Sequence, residues 1–193
     1  MTIKPWLSAG YLPFPLIALM VLTRYHHFGD VLHLPDASLA VFFFAGFYRA
    51  GAYGKAAFFG FLLGLAGLID YVAIANGTSD WCISPAYLFL IPTYAVMCWA
   101  GHYCSGFKSM ALPELAISAG YATLAASVAF AVSNGSFFLF SGRYQDLPWL
   151  DYVQGVARYY PSYVGSAVLY AVAGLVIIKA VKTWSALARH YEI

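Results

Sequence analysis

The chain is a succession of apolar runs, most of them close to the length of a bilayer crossing and separated by short polar links. A helix that crosses the hydrocarbon needs roughly 17–25 residues at about 1.5 Å of rise each. Composition closes off the soluble alternative. Only 9% of the residues are Asp, Glu, Lys or Arg, and 62% are hydrophobic. An ordinary soluble domain carries about 25% charged residues. A globule of 193 residues with so few charges could not cover its surface for water.

The runs predict an all-α integral membrane protein, a single transmembrane domain over 1–193 with six helices near 6–24, 37–50, 53–75, 85–103, 113–132 and 159–181. Pro13 and Pro15 kink the first helix or delay its start. Asp36 or Ser38 is placed to cap the second, which is short for a full crossing. Ala52, Ala56, Gly60 and Gly64 recur every four residues, which predicts a face where another backbone approaches closely. Asn76-Gly77 marks a turn, and Ser84-Pro85 opens the fourth helix with proline at its first position. Pro113 and Glu114 open the fifth, which is expected to end near Val132. The stretch from Ser133 to Gly155 then reads as the longest connection, with Phe137-Phe138-Leu139-Phe140 too short to span. The N-terminus does not read as a removable signal, because no small-residue cleavage site follows the first apolar run.

Orientation follows from the basic residues. With six crossings, Lys4, Arg49, Lys55, Lys108, Lys179, Lys182 and Arg189 fall on one side, which is then cytoplasmic together with both termini. Arg24, Arg143 and Arg158 fall on the other, with Asp30, Asp36, Asp80, Asp146 and Asp151. The outer connections, 26–37, 76–85 and 133–157, are polar and rich in glycine and aromatics, whereas the inner ones are terse. Such a distribution suits a protein that captures something from outside; outer loops that simply vary more in length are the plainer explanation. No Lys/Arg cluster is dense enough for nucleic acid.

Cys82 is the most informative single residue. It lies in an outer connection, where thiols ordinarily pair. Cys98 is about 24 Å away along a helix, too far for a disulfide, so Cys82 is expected to be a free outward thiol. A small hydrophobe packed under Trp81 is one reading; a ligand to a soft or late-transition metal is the other. The helix start expected at Ser84 would favour the thiolate. One cysteine does not hold a free zinc ion, but it suffices as one axial ligand to a metal already held by a macrocycle. Asp70, inside the membrane boundary, needs a polar pocket or an ion pair with Arg24, Arg143 or Arg158. His26, His27 and His33 are loop residues by default, with a part in holding a cofactor as the alternative. His102 sits near the inner end of its helix, a poor partner for a shared haem. Arg143, with Tyr144, Asp146, Trp149, Asp151 and Tyr152, gives the last outer connection the look of a binding loop, although Tyr159, Tyr160 and Tyr163 fit an aromatic belt. There is no phosphate-binding loop, no His-Glu-x-x-His, no Gly-x-Ser-x-Gly and no Cys-x-x-Cys.

The stretches Leu34-Pro35-Asp36-Ala37-Ser38, Phe43-Phe44-Ala45-Gly46-Phe47-Tyr48 and Leu68-Ile69-Asp70-Tyr71 resemble the BtuM family of vitamin B12 transporters. The most specific part is Asp80-Trp81-Cys82-Ile83-Ser84-Pro85-Ala86-Tyr87, with Pro92. These proteins are related to the S components of energy-coupling-factor (ECF) transporters. The resemblance implies an S-component-like bundle of six helices in the bacterial cytoplasmic (inner) membrane, with an outward-opening cavity. It implies that cobalamin binds there base-off, with Cys82 ligating the cobalt, and that cyanocobalamin can lose its cyanide. Asp70, His27, Arg143 and Tyr87 are carried as cofactor-binding candidates. An ECF module is one energising partner that the resemblance implies; Gly10 and Ala18 on the first helix form no clear Ala-x-x-x-Ala docking pattern, so a solitary mode is the alternative. The competing readings are an S component for another vitamin, a membrane enzyme acting on a cofactor at the outer face, and an assembly subunit.

Overall fold

A computed structural model describes residues 12–25, 34–48, 51–107 and 111–191. Among them it contains seven α-helices and no strand. They are α1 (Pro13–Arg24), α2 (Ser38–Ala45), α3 (Ala52–Ala75), α4 (Leu90–Cys104), α5 (Leu112–Phe140), α6 (Trp149–Ala157) and α7 (Tyr160–Tyr191). A 3-10 turn, Pro85–Phe89, leads into α4.

Among the described residues, three helices are long and apolar enough to cross a bilayer: α3, α5 and the Tyr160–Val181 part of α7. The expected six are therefore not all single long helices. The described α1 has 12 residues, α2 has 8 and α4 has 15. The 3-10 turn and α4 together rise roughly 32 Å, close to the thickness of the hydrocarbon.

The core is built around α2. All eight of its residues are buried, and α1, α3, α4 and α7 surround it. Ala37 holds the N-cap position without a side-chain cap, so neither Asp36 nor Ser38 is the cap; Asp36 instead forms a local turn, its Oδ1 accepting from the Ser38 backbone N–H at 2.9 Å and from the Ser38 hydroxyl at 2.6 Å. The helix stops at Ala45, short of the expected residue 50, where the ladder tightens to three-residue bonds, the Phe47 N–H to the Phe44 carbonyl at 2.9 Å and the Tyr48 N–H to the Ala45 carbonyl at 3.0 Å. A Cβ on Gly46 would fall on the Cys98 carbonyl, and one on Gly101 would fall on the Phe43 carbonyl. A Cβ on Gly174 of α7 would strike the Phe44 ring. Phe42 stacks on Tyr94, ring centroids 4.1 Å apart. The close helix approach thus lies between α2 and α4. The Ala52, Ala56, Gly60 and Gly64 face of α3, expected to serve that purpose, is exposed. Instead α3 buries Leu62, Ala66, Ile69, Asp70 and Ala73.

The end of α5 corrects a second expectation. The helix continues past Val132 through Phe137–Phe140 to Phe140. Its polar residues fold back onto the helix instead of breaking it: Asn134 Nδ2 donates to the Phe130 carbonyl at 2.9 Å and the Ser136 hydroxyl to the Ser133 carbonyl at 2.9 Å. The chain then reverses at Gly142, whose φ of 71° favours glycine. What remains of the long connection contains α6, and α7 runs on past residue 181 into the basic tail.

Candidate functional site

Cys82 is displayed by a tight turn between α3 and the 3-10 turn. Helix α3 ends at Ala75 with Asn76 as its C-cap, and Gly77 (φ 96°) reverses the chain so that the Thr78 N–H reaches the Ala73 carbonyl at 3.1 Å. Next, the Ser79 hydroxyl accepts from the Trp81 N–H at 3.2 Å, and the Ile83 N–H donates to the Asp80 carbonyl at 2.8 Å. Cys82 is left exposed and free; Cys98 and Cys104 are also free.

Beside the thiol is a small pocket lined by Asp70, Ala73, Ile74, Thr78, Ser79, Cys82, Ile83 and Tyr87. Its cavity volume is about 20 Å³, room for about one water. Close by, the Ser84 hydroxyl is buried without a hydrogen-bond partner among the described residues. Ser84 does open the 3-10 turn as expected, but through its carbonyl, which accepts from the Tyr87 N–H at 2.9 Å.

Behind the pocket lies a buried polar hub. Arg24, only 5% exposed, holds Asp70 in a two-point grip, Nε to Oδ1 at 2.8 Å and Nη2 to Oδ2 at 2.6 Å. Its Nη1 donates to the Tyr94 hydroxyl at 2.8 Å, to Ser38 Oγ at 3.0 Å and to Asp36 Oδ2 at 3.3 Å. The Tyr87 hydroxyl donates to Asp70 Oδ2 at 2.7 Å. A guanidinium can hold several acceptors in one fixed plane. Here it ties α1, the start of α2, α3 and α4 together beneath the thiol's connection.

The sequence-predicted residues separate accordingly. Cys82, Asp70 and Tyr87 line one pocket. Asp70 is both pocket wall and ion-pair partner, and the partner is Arg24. Arg158 instead reaches the ring and hydroxyl of Tyr159. Arg143 does not line the pocket; its guanidinium lies 4.0 Å from the centre of the Trp81 ring. That contact joins the connection after α5 to the connection bearing Cys82. His27 lies outside the described residues, as do His26 and His33. His102 is 3.2 Å from Lys55 Nζ, away from the pocket. The hub residue that the sequence reading missed is Tyr94. Its signal was the seven-residue spacing from Tyr87, two helical turns on the same face.

Burial pushes the Cys82 thiol above its ordinary value; the Asp70 carboxylate adds to the rise, while Arg143 and Arg24 pull it back. The expected assistance from a helix start is outweighed, because a single 3-10 turn follows the cysteine and the thiolate is partly desolvated. Alkylation of Cys82 in the ligand-free protein, read by mass spectrometry of its peptide, should therefore rise with pH to a midpoint above the roughly 8.5 of an ordinary cysteine. The midpoint should move higher still in Arg143→Gln, since a neighbouring positive charge is lost. A midpoint at or below the ordinary value contradicts this electrostatic picture.

Among the described residues, no group of three or more His, Cys, Asp or Glu side chains is placed to hold a metal ion. The thiol is a single exposed donor beside a carboxylate–tyrosine wall. Such a site can add one ligand to a metal that arrives with its own equatorial ligands. No protein-family model matches the chain, and no curated protein matches it at a significant level.

Proposed function

We propose that the protein captures cobalamin for uptake across a bacterial cytoplasmic membrane, with the Cys82 sulfur as an axial ligand to the corrin cobalt. The observation that carries this reading is an unpaired, exposed thiol at the rim of a pocket walled by Asp70 and Tyr87. Cobalt in a corrin already has four nitrogen ligands, so one sulfur completes what the protein must supply. The pocket is too small to enclose a corrin ring. The ring therefore lies over its mouth, with Asp70 and Tyr87 beneath it. Trp81 offers a half-exposed flat face beside the thiol, suited to the rim of a large apolar ring. Sulfur donation on one side of cobalt loosens the ligand on the other, so bound cyanocobalamin exchanges cyanide for water.

The proposed topology has six passages of the chain: α1, the 34–48 segment (of which α2 itself rises only about 12 Å), α3, the 3-10 turn with α4, α5 and α7. Both termini are cytoplasmic and α6 does not cross. Here α2 supplies the centre of the bundle rather than a lipid-facing span. An ECF module or a solitary mode supplies the energetics.

The test is the visible spectrum of the purified protein with cobalamin, beside Cys82→Ala. The wild type should show a cobalt–thiolate band that the variant lacks, and the variant's affinity should fall by about tenfold or more, some 1.4 kcal/mol. Equal spectra and affinities remove the ligand assignment. Tight binding of a different vitamin without any such band would transfer the site to another cargo.

A further inference from the structure

We propose that Leu147-Pro148-Trp149-Leu150, the segment that opens α6, is a membrane anchor seated at the headgroup–acyl boundary on the Cys82 side of the bilayer. All four residues are exposed, Leu147 by 38%, Trp149 by 53% and Leu150 by 63%. A run of four exposed apolar residues is not what a water-facing loop carries. Nor is α6 an undocked helix looking for its place. Its inner face is already satisfied: Tyr152 is buried, its hydroxyl donates to the Asn134 carbonyl at 3.0 Å, and its ring centroid lies 4.9 Å from that of Phe138. The Trp149 ring also rests on Phe138 at 5.0 Å, leaving its other surface outward. The apolar run is what remains after α6 has docked.

Depth identifies the occupant as lipid. Helices α5 and α7 are apolar enough to cross the bilayer. Starting from Glu114 in the first turn of α5, about twenty residues of rise exhaust the hydrocarbon. That count ends at Asn134, the residue on which Tyr152 docks. Helix α6 therefore lies level with Asn134–Phe138, within the headgroup layer of about 5–8 Å. On the other flank, the first residue of α7, Tyr160, packs its ring on Phe130 at 5.3 Å, one turn below Asn134. The lipid-facing surface continues upward through Leu139 and Phe140 of α5, both exposed, to the segment itself. Tryptophan is the side chain most at home at this depth. The exposed Asp151 and Gln154 give the short helix a polar side for headgroups and water. Seated in this way, the segment fixes the connection whose Arg143 rests on Trp81 beside Cys82.

The experiment places single spin labels at Leu150→Cys and Gln154→Cys, with the native cysteines replaced by alanine, in phosphatidylcholine vesicles. Collisions with oxygen, which concentrates in lipid, are compared with those of a water-soluble nickel chelate. The label at 150 should favour oxygen by several-fold and the label at 154 should favour nickel. Nickel preference at 150 overturns the proposal in favour of water. An immobilised label at 150 overturns it in favour of protein cover, and added dipolar broadening identifies a second copy. A photoreactive diazirine lipid applied to the native chain gives the same answer without substitutions: adducts should map to the peptide containing Leu147–Leu150, and their absence overturns the anchor. Neither measurement involves cobalamin, so the result stands apart from the fate of the proposed cargo.

Discussion

Replacing Asp70 with alanine should destabilise the protein by about 3–5 kcal/mol, the cost of leaving a buried charge without its partner. Arg24 is 5% exposed and both of its bonds to Asp70 are 2.8 Å or shorter. Asp36 remains 3.3 Å from the same guanidinium, which places the loss toward the lower end of that range. For a chain of this length, such a loss corresponds to a fall in Tm on the order of 10 °C, measurable in detergent by the survival of the monodisperse peak after heating. The Arg24→Met/Asp70→Leu double variant should recover part of it: the apolar pair removes the unpaired buried charge, while Tyr94, Ser38 and Asp36 lose their shared donor. A single variant that melts with the wild type would show that the hub does not hold these helices. The double variant also separates two roles for Asp70. If the carboxylate serves only to hold Arg24, the double variant should still show the proposed cobalt–thiolate band. If Asp70 touches the cargo, binding falls although stability is partly restored.

The Arg24–Asp70 pair shows how far residues alone lead. A carboxylate inside an apolar run demands either a partner or a wet pocket, and Asp70 has both. Which of three arginines would answer was not legible, since the choice depends on how α1 and α3 dock in depth. The span of α3 and the helix opening at Ser84-Pro85 were legible because glycine, asparagine and proline punctuate the chain there. The far end of α5 was not. Ser133, Asn134, Gly135 and Ser136 read as a break, yet their side-chain bonds to the preceding turn let the helix continue. Helix α6, with nine residues, fell below the length that marks a crossing and was hidden within the connection. The α3 stripe of small residues was misassigned because spacing defines a face without saying what lies against it. Cys82 was legible as a free thiol, because no other cysteine lay within reach along the chain. Its electrostatics were not, because burial and the Asp70 carboxylate come from tertiary structure.

Gly101→Val should be the most damaging change in the bundle that touches no charged group. The hydrogen of Gly101 faces the Phe43 backbone, and a built Cβ meets the carbonyl oxygen, the carbonyl carbon and Cα of that residue. No flexible side chain is available to move aside, so α2 as a whole must retreat from α4. Overpacking usually costs about 1–3 kcal/mol where side chains can give way; here the loss should be at or above the top of that range, even for Gly101→Ala. Gly60→Ala is the matched control. Gly60 has nothing within 4 Å of a built Cβ, so alanine should gain up to about 1 kcal/mol of helix stability there. Thermal melts of the two alanine variants should therefore move in opposite directions. Equal stability for the two would mean that α2 and α4 do not meet at the Gly46–Gly101 crossing. The consequence reaches the site, because the start of α2 carries Asp36 and Ser38, both bonded to Arg24. Moving α2 pulls two acceptors away from the guanidinium that holds the Asp70 wall. Affinity for the proposed cobalamin cargo in the surviving fraction of Gly101→Ala should consequently fall, although position 101 lies at the opposite end of α4 from the pocket.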